Sequence, residues 1–126
     1  MSESSVPMAD NALLHLLRET ILAEIRIGED LTLRQLSVLL KVYLDDEPQT
    51  VRGLAKCLQV GTPPITRAFD RLEEMDLLRR KVDPADRRSV IAQRTPKGAE
   101  MMQRLKVRRE ASAEAATAEA DLRKAS

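Results

Sequence analysis

The sequence predicts a mainly α-helical domain with a minor β component. Over most of the chain, apolar residues recur at the i, i+3, i+4, i+7 spacing of one helical face. After residue 76 this spacing gives way to two short strand-like runs, at 77–82 and 89–94, separated by turn residues. Just before them, two short helical segments are joined by a tight turn that contains Gly61. The pattern predicts a winged helix-turn-helix with additional helices at both ends.

Composition allows one domain with one aliphatic core. The chain has 126 residues, of which 43% are hydrophobic but only 2% aromatic. The net charge is only +1, but the charge is unevenly distributed: it is −5 over residues 1–49, +5 over 50–97 and +1 over 98–126. The excess of positive charge in the middle of the chain indicates a surface that attracts a polyanion.

The N-terminal part predicts a disordered lead-in at residues 1–9 and a helix over 10–27. Asp10 or Asn11 is the expected cap, and Gly28 the expected stop. The apolar residues of this helix lie on more than one face, so the helix needs packing partners on more than one side. We expect a second copy of the chain to be one of these partners. The apolar residues are Leu13, Leu14, Leu16, Leu17, Ile21, Leu22 and Ile25.

Two further helices follow, each introduced by a threonine cap. Thr32 begins a helix over 33–44, which the acidic segment 45–48 ends, and Thr50 begins a short helix to Leu58. The expected buried residues of the first are Leu36, Leu39, Leu40 and Tyr43. Those of the second are Val51, Leu54, Ala55 and Leu58.

The pattern of residues 61–75 predicts a helix that the rest of the domain holds at the surface. We call it the reading helix. Its apolar residues share one face: Ile65, Ala68, Phe69 and Leu72. Its polar residues point the other way: Thr62, Thr66, Arg67, Asp70, Arg71 and Glu74. Pro63 and Pro64 fit the first turn, and the bias of Pro64 on its neighbour predicts that full helix begins at Pro64. Hydroxyls and guanidinium groups on the outer face can reach DNA bases and phosphates.

Beyond the reading helix, the charged segment 83–88 predicts a turn between the two strands, and thus a hairpin with an arginine-rich tip. Thr95 is the expected cap of a last helix, with Pro96 at its first position, running to about Leu122.

The sequence offers no catalytic or metal-binding constellation, so it predicts neither an enzyme nor a cofactor. The single cysteine, Cys57, is expected to be a structural thiol rather than a redox sensor, and His15 a packed or interface residue. With no signal peptide or membrane span, we expect a cytoplasmic protein with no membrane partner.

The middle of the chain resembles the MarR-type winged-helix repressors over about Leu31 to Gly98. The matching residues are Leu54-Ala55, Val60, Ile65-Thr66-Arg67, Asp70-Arg71-Leu72-Glu73, Leu77, Arg80, Asp83-Pro84, Asp86-Arg87-Arg88-Ser89 and Thr95-Pro96-Lys97-Gly98. The resemblance implies a single domain over 10–126, with a DNA-binding core at 31–96 and dimerisation helices at 10–28 and 97–122. It also implies a homodimer on a palindromic double-stranded operator, often released by a small-molecule effector.

Carried over by position, the resemblance implies two sets of DNA contacts. Bases and phosphates of the major groove would be contacted by Thr62, Pro63, Thr66 and Arg67. Arg87 and Arg88 would sit at the tip of the hairpin, one of them entering the minor groove, with Asp86 orienting a guanidinium. Further phosphate contacts would come from Arg52, Arg71, Arg79 and Lys97. Asp76 stands where the family usually has glycine, and a left-handed backbone there would cost Asp roughly 1 kcal/mol, less than it would cost most other residues.

Other interpretations of the charges remain open. Arg67 and Arg71 could be solvated, with Arg71 paired to Glu74, and the basic run 79–81 could protect a strand edge. The leading hypothesis is a sequence-specific DNA-binding transcriptional regulator, a homodimeric repressor. The alternatives are a winged-helix protein-interaction module and a DNA-binding replication or phage accessory protein.

Overall fold

A computed structural model describes residues 8–108 and residue 122. Of the disordered lead-in predicted at 1–9, residues 1–7 lie outside the described residues, and the prediction was wrong for Met8 and Ala9, which are helical. The predicted helix beyond 108 also lies outside the described residues, apart from Leu122, which is helical. Leu31–Met102 form one compact unit, and the described parts of Met1–Asp30 and Gln103–Ser126 form a second. The structure is mainly helical with one small antiparallel sheet, as predicted.

The second unit contains α1, Met8–Ile27. The expectation of a cap at Asp10 or Asn11 was wrong, because the helix already begins at Met8, and the modest helix propensity of Asp and Asn does not exclude them from a first turn. The predicted stop is confirmed: Gly28 has a φ of 107°, and its N–H donates to the carbonyl oxygen of Glu24 at 3.2 Å. Within this unit, Arg104 Nη2 donates to the buried carboxylate of Glu24 at 2.8 Å.

The first unit begins with α2, Leu33–Leu44. Thr32 caps it as predicted, in a capping box with Gln35. The predicted buried face was partly wrong, since Leu39 is fully buried but Leu36, Leu40 and Tyr43 are only half-buried. The residues that complete the buried face are Val38 and Val42. α2 packs against the reading helix, and two slender valines allow that close approach.

Two more helices complete the helix-turn-helix. α3 is Val51–Leu58, capped by the Thr50 side chain as predicted. α4, the reading helix, is Thr62–Glu74, capped by Gly61. It therefore begins two residues before Pro64, where we expected full helix to start. Prolines are tolerated in the first turn because the N–H groups of that turn have no acceptor within the helix. The preference of a residue before proline for an extended backbone therefore did not delay the start of α4.

One aliphatic core lies beneath these helices, built around a single phenylalanine. Its members are Val38, Leu39, Val42, Leu54, Ala55, Ile65, Ala68, Phe69, Leu72, Leu77, Leu78 and Met101. All four apolar residues predicted for the inner face of α4 are among them, so the orientation predicted for the reading helix is confirmed.

The hairpin consists of β1, Leu78–Asp83, and β2, Asp86–Arg94. The strands pair antiparallel from Leu78 opposite Arg94 to Val82 opposite Val90, with an irregularity after Val82. The predicted turn at 83–88 was too long, because Asp83 pairs with Asp86 and only two residues connect the strands. The charged composition of a segment indicates that it contains a turn, but cross-strand pairing decides at which residues the turn begins and ends.

A polar junction joins α2, the end of α4 and α5, the last helix, described over residues 96–108. Tyr43 Oη donates to the Leu77 carbonyl oxygen at 2.8 Å and accepts from the Thr95 N–H at 2.9 Å. Thr95 Oγ1 donates to the Asp76 carbonyl oxygen at 2.6 Å and accepts from the Gly98 N–H at 3.0 Å. Thr95 therefore caps α5 as predicted, and Asp76 has a left-handed backbone, with a φ of 57°.

Candidate nucleic-acid interface

All ten residues predicted to contact DNA are exposed. They are Arg52, Thr62, Pro63, Thr66, Arg67, Arg71, Arg79, Arg87, Arg88 and Lys97. In α4 the burial of the opposite face holds Thr62, Thr66 and Arg67 outward, because a fully buried anchor fixes the rotation of the helix.

A cleft brings part of this set together. It has a volume of about 270 Å³ and lies between the start of α3, α4 and β2. It is lined by Thr50, Val51, Arg52, Thr62, Thr66, Arg80, Arg88, Ser89 and Val90. Four predicted contact residues from three elements thus share one concave surface that carries several guanidinium groups and hydroxyls. Those chemical groups suit phosphate oxygens and base edges.

Several guanidinium groups of this surface form no ion pair within the described part of the chain. Within the part of the chain that the structure describes, Arg52, Arg67 and Arg71 make no ion pair, so the alternative pairing of Arg71 with Glu74 is absent from the fold. Arg79 pairs with Asp76 at 3.3 Å, but both side chains are more than half exposed, so this pair is weak. Most of the positive charge can therefore face a ligand.

Arg87 and Arg88 lie close to the tip of the hairpin. They belong to the irregular stretch of β2 between Asp86 and Val90, which follows the two connecting residues Pro84 and Ala85. The expectation that Asp86 orients a guanidinium was wrong. Its Oδ1 accepts from the Arg88 backbone N–H at 3.1 Å and its Oδ2 from Ser89 Oγ at 3.1 Å. Asp86 directly follows the two-residue turn. Its carboxylate is therefore close to donors two and three residues along the same strand and binds these instead of a guanidinium.

Sequence reasoning missed the most strongly bonded cluster of this surface, which we call the Arg80 clamp: Arg80, Asp70, Glu73 and the carbonyl group of Thr66. Arg80 Nη1 donates to Glu73 Oε1 at 2.6 Å, and Nη2 donates to Asp70 Oδ1 and, at 3.1 Å, to the Thr66 carbonyl oxygen. The guanidinium carbon lies 5.8 Å from the ring centre of Phe69. The clamp joins β1 to the reading helix.

The electrostatics of the clamp follow from its composition. Burial alone would lower the pKa of Arg80, but hydrogen bonds and charge from Asp70 and Glu73 outweigh it, so the pKa is raised. A signal for this cluster exists in the sequence: two carboxylates three residues apart on one helix, followed by an arginine on the adjoining strand. Each of these residues alone is also typical of a solvated surface, so the signal is weak.

Other chemistries leave no trace in the described residues. Among residues 8–108 and Leu122, no group of three or more His, Cys, Asp or Glu side chains could hold a metal ion. No helix in the same part of the chain is long and apolar enough to cross a bilayer.

Comparison with known proteins identifies relatives by sequence pattern and by fold. The sequence model of the MarR family matches residues 31–90. No curated protein matches the chain in sequence. Transcriptional regulator Tm0710 from Thermotoga maritima is 29% identical, with a TM-score of 0.69 over 85% of this chain and 76% of that one.

Two further structures share the fold at lower identity. A point mutant of S. aureus MepR bound to an oligodeoxyribonucleotide is 20% identical, with a TM-score of 0.75 over 98% of this chain and 93% of that one. Bordetella bronchiseptica BpsR, whose DNA binding is regulated by 6-hydroxynicotinic acid, is 23% identical, with a TM-score of 0.54 over 89% and 83% of the two chains.

Proposed function

From the match of residues 31–90 to the sequence model of the MarR family, whose members are transcription regulators and not enzymes, we propose that the chain belongs to this family and is a sequence-specific DNA-binding repressor acting as a homodimer. The observation that carries the proposal is the outer face of the reading helix. Thr62, Thr66 and Arg67 project from a helix whose other face is fully buried, beside a hairpin with Arg87 and Arg88. A rigid helix with hydroxyls and guanidinium groups outward meets the requirements of major-groove contact.

In the proposed complex, α4 enters the major groove and β2 of the hairpin places Arg87 and Arg88 at the minor groove. The negative potential of a narrow minor groove favours arginine there. Arg52, Arg71, Arg79 and Lys97 would supply phosphate contacts, which contribute affinity without sequence preference. A mutant of S. aureus MepR with the same fold is bound to an oligodeoxyribonucleotide, which supports DNA as the ligand.

Replacement of Arg67 by alanine tests the role of the reading helix. With a duplex enriched by the protein from a randomised pool, we expect Arg67→Ala to weaken binding by about 1–3 kcal/mol and to relax sequence preference. Arg34→Ala, which removes an equally exposed arginine from α2, is the matched control and should change binding little. Titration with salt should give a steep slope, because each phosphate neutralised contributes about −0.9 to it. A slope near zero would refute the proposal.

The dimer is proposed from the exposed apolar face of α1. Leu13, Leu14 and Leu17 are 62%, 58% and 44% exposed in the single chain, and Ile21 and Ile25 are 42% and 45% exposed. Such a continuous apolar face on a helix of this length indicates an interface. A dimer places two reading helices on a palindromic operator, with half-sites about one helical turn of DNA apart. The last helix would contribute to the same interface.

Polar substitution of that face tests the dimer. We expect the double variant Leu17→Gln, Ile21→Gln to sediment as a monomer and to lose most of its DNA affinity, since half-sites would then be bound independently. Glu19→Gln, an exposed change on the opposite side of α1, is the control and should leave the dimer intact. If the double variant stays dimeric, another surface forms the interface.

A small-molecule effector is the remaining part of the proposal. It is supported by BpsR, which shares the fold and whose DNA binding responds to 6-hydroxynicotinic acid. The alternative of a protein-interaction module loses support because a helix that docks into a partner's groove presents an apolar face, whereas the exposed face of α4 is polar. The alternative of a replication or phage accessory protein would use the same DNA-binding surface, and genomic binding sites clustered at an origin would distinguish it from a regulator.

A further inference from the structure

We propose that Arg80 is a positioning residue that fixes the hairpin to the reading helix, so that major-groove and minor-groove contacts are made as one rigid unit. The proposal rests on the proposed function. It concerns the Arg80 clamp, whose charged residues, Arg80, Asp70 and Glu73, are not among the predicted DNA contacts.

The clamp engages one side of the reading helix over nearly two turns. Its acceptors on α4 are the Thr66 carbonyl oxygen and the carboxylates of Asp70 and Glu73. The Arg80 backbone N–H also donates to Glu73 Oε2 at 3.2 Å, so that both the strand and its side chain are held. A planar guanidinium bound to three acceptors has little rotational freedom, unlike a single exposed ion pair.

The charge of the clamp argues against a role in binding phosphate. The clamp combines one guanidinium group, that of Arg80, with two carboxylate groups, those of Asp70 and Glu73. The cluster therefore has a net negative charge within a surface that is otherwise basic. Two carboxylates beside bound DNA weaken binding by repulsion, unless they contribute in another way. Holding the hairpin in place is that contribution.

The other attachments of the hairpin lie towards its base. Leu78 is buried in the core, Val90 and Ala92 pack against it, the Ala92 N–H donates to the Gln49 carbonyl oxygen at 2.9 Å, and Arg94 Nε donates to the Val42 carbonyl oxygen at 2.9 Å. Between Lys81 and Ser89, no residue of the hairpin is buried. Arg80 is therefore the last attachment to α4 before the segment that carries Arg87 and Arg88. Its loss should free that segment without unfolding the core.

The direction in which a double substitution changes DNA affinity distinguishes a positioning role of the clamp from a purely electrostatic effect. The double variant Asp70→Asn, Glu73→Gln removes two negative charges from the DNA-facing surface. Electrostatics alone predicts tighter binding, whereas loss of the clamp predicts binding weaker by about tenfold. Glu74→Gln, an adjacent exposed carboxylate of α4 without an ion pair in the described chain, is the matched control and should bind as tightly as the wild type or more so. Tighter binding by the double variant would overturn the proposal.

Selection from a randomised duplex pool gives a readout that a purely structural role would not change. The wild type should enrich an inner motif together with a flanking preference at a fixed spacing. The double variant should retain the inner motif and lose the flanking preference, because only the hairpin contacts are released. Unchanged flanking preference in the double variant would count against the clamp.

Hydrogen exchange tests the clamp without DNA. Amides of residues 81–90 should exchange faster in the double variant and in Arg80→Met, while amides of α2 and α3 keep their protection. If the wild type enriches no DNA sequence, the proposed function fails and this measurement alone decides on the clamp. If exchange of the hairpin is unchanged, the clamp is refuted even though DNA binding stands.

Discussion

Replacement of Phe69 by alanine should lower the free energy of unfolding by about 3–5 kcal/mol. Phe69 is the only phenylalanine in the chain and is fully buried, at the centre of the face by which the reading helix is anchored. Truncation removes its apolar contacts and leaves a cavity that the surrounding aliphatic side chains fill only in part. Because domains of this size are stable by about 5–15 kcal/mol, this loss can consume most of the total.

Urea denaturation measures the effect, at one fixed protein concentration because a dimer gains stability with concentration. Phe69→Leu is the control: it keeps most of the volume and should cost about 1 kcal/mol. The guanidinium of Arg80 lies over the ring, so Phe69→Leu should also loosen the hairpin slightly. Equal stability of the alanine and leucine variants would mean that the site collapses without a cavity, contrary to the packing described above.

The reading helix could be predicted because its local and tertiary signals agree. The inner face of α4 follows one helical period without interruption, although the prolines did not locate its start, which is Thr62 and not Pro64. Thr32, Thr50 and Thr95 likewise marked helix starts, since a side-chain cap depends on only the next three residues. Elements whose limits are set by local chemistry are thus accessible from sequence alone.

The buried face of α2 could not be predicted in the same way. Apolar residues surround this helix: Leu33 and Leu44 are 80% and 71% exposed, whereas Val38 and Val42 are in the core. When several faces are apolar, the packing partner decides which of them is buried, and the period alone does not. The exposed leucines of α2 and α1 are consistent with a chain that buries more surface in an assembly than it does alone.

The clamp escaped prediction for a different reason. Asp70 and Glu73 are on α4 and Arg80 is on β1. Their proximity depends on how β1 packs against α4, and this packing cannot be derived from the sequence. The same holds for the hairpin turn, where the pairing of Asp83 with Asp86 shortened the predicted loop. Charged residues in the sequence therefore indicated the interface as a whole, but not which charges bind one another.

Gly98→Ala should cost about 3 kcal/mol of unfolding free energy, at the upper end of what overpacking usually costs. A Cβ at this position would overlap the Tyr43 hydroxyl and would lie 2.6 Å from the Leu77 carbonyl oxygen. The requirement for glycine is thus steric, imposed by the junction where Tyr43 bonds to both Leu77 and Thr95. Relief would require α5 to move away from α2, which breaks those bonds.

Two comparisons isolate this mechanism in urea denaturation. Tyr43→Phe in the Gly98→Ala background should restore little stability, because the Tyr43 ring carbon Cζ and the Leu77 carbonyl oxygen, at 2.6 Å, still obstruct the added methyl group. Gly61→Ala, where the nearest atom lies at 3.4 Å, should cost less than about 1 kcal/mol. If Gly98→Ala costs no more than Gly61→Ala, then α5 can shift at its start without loss. In that case the junction leaves the last helix free to move relative to the reading helix, and a change at the proposed dimer interface would not reach the DNA-binding surface through Tyr43.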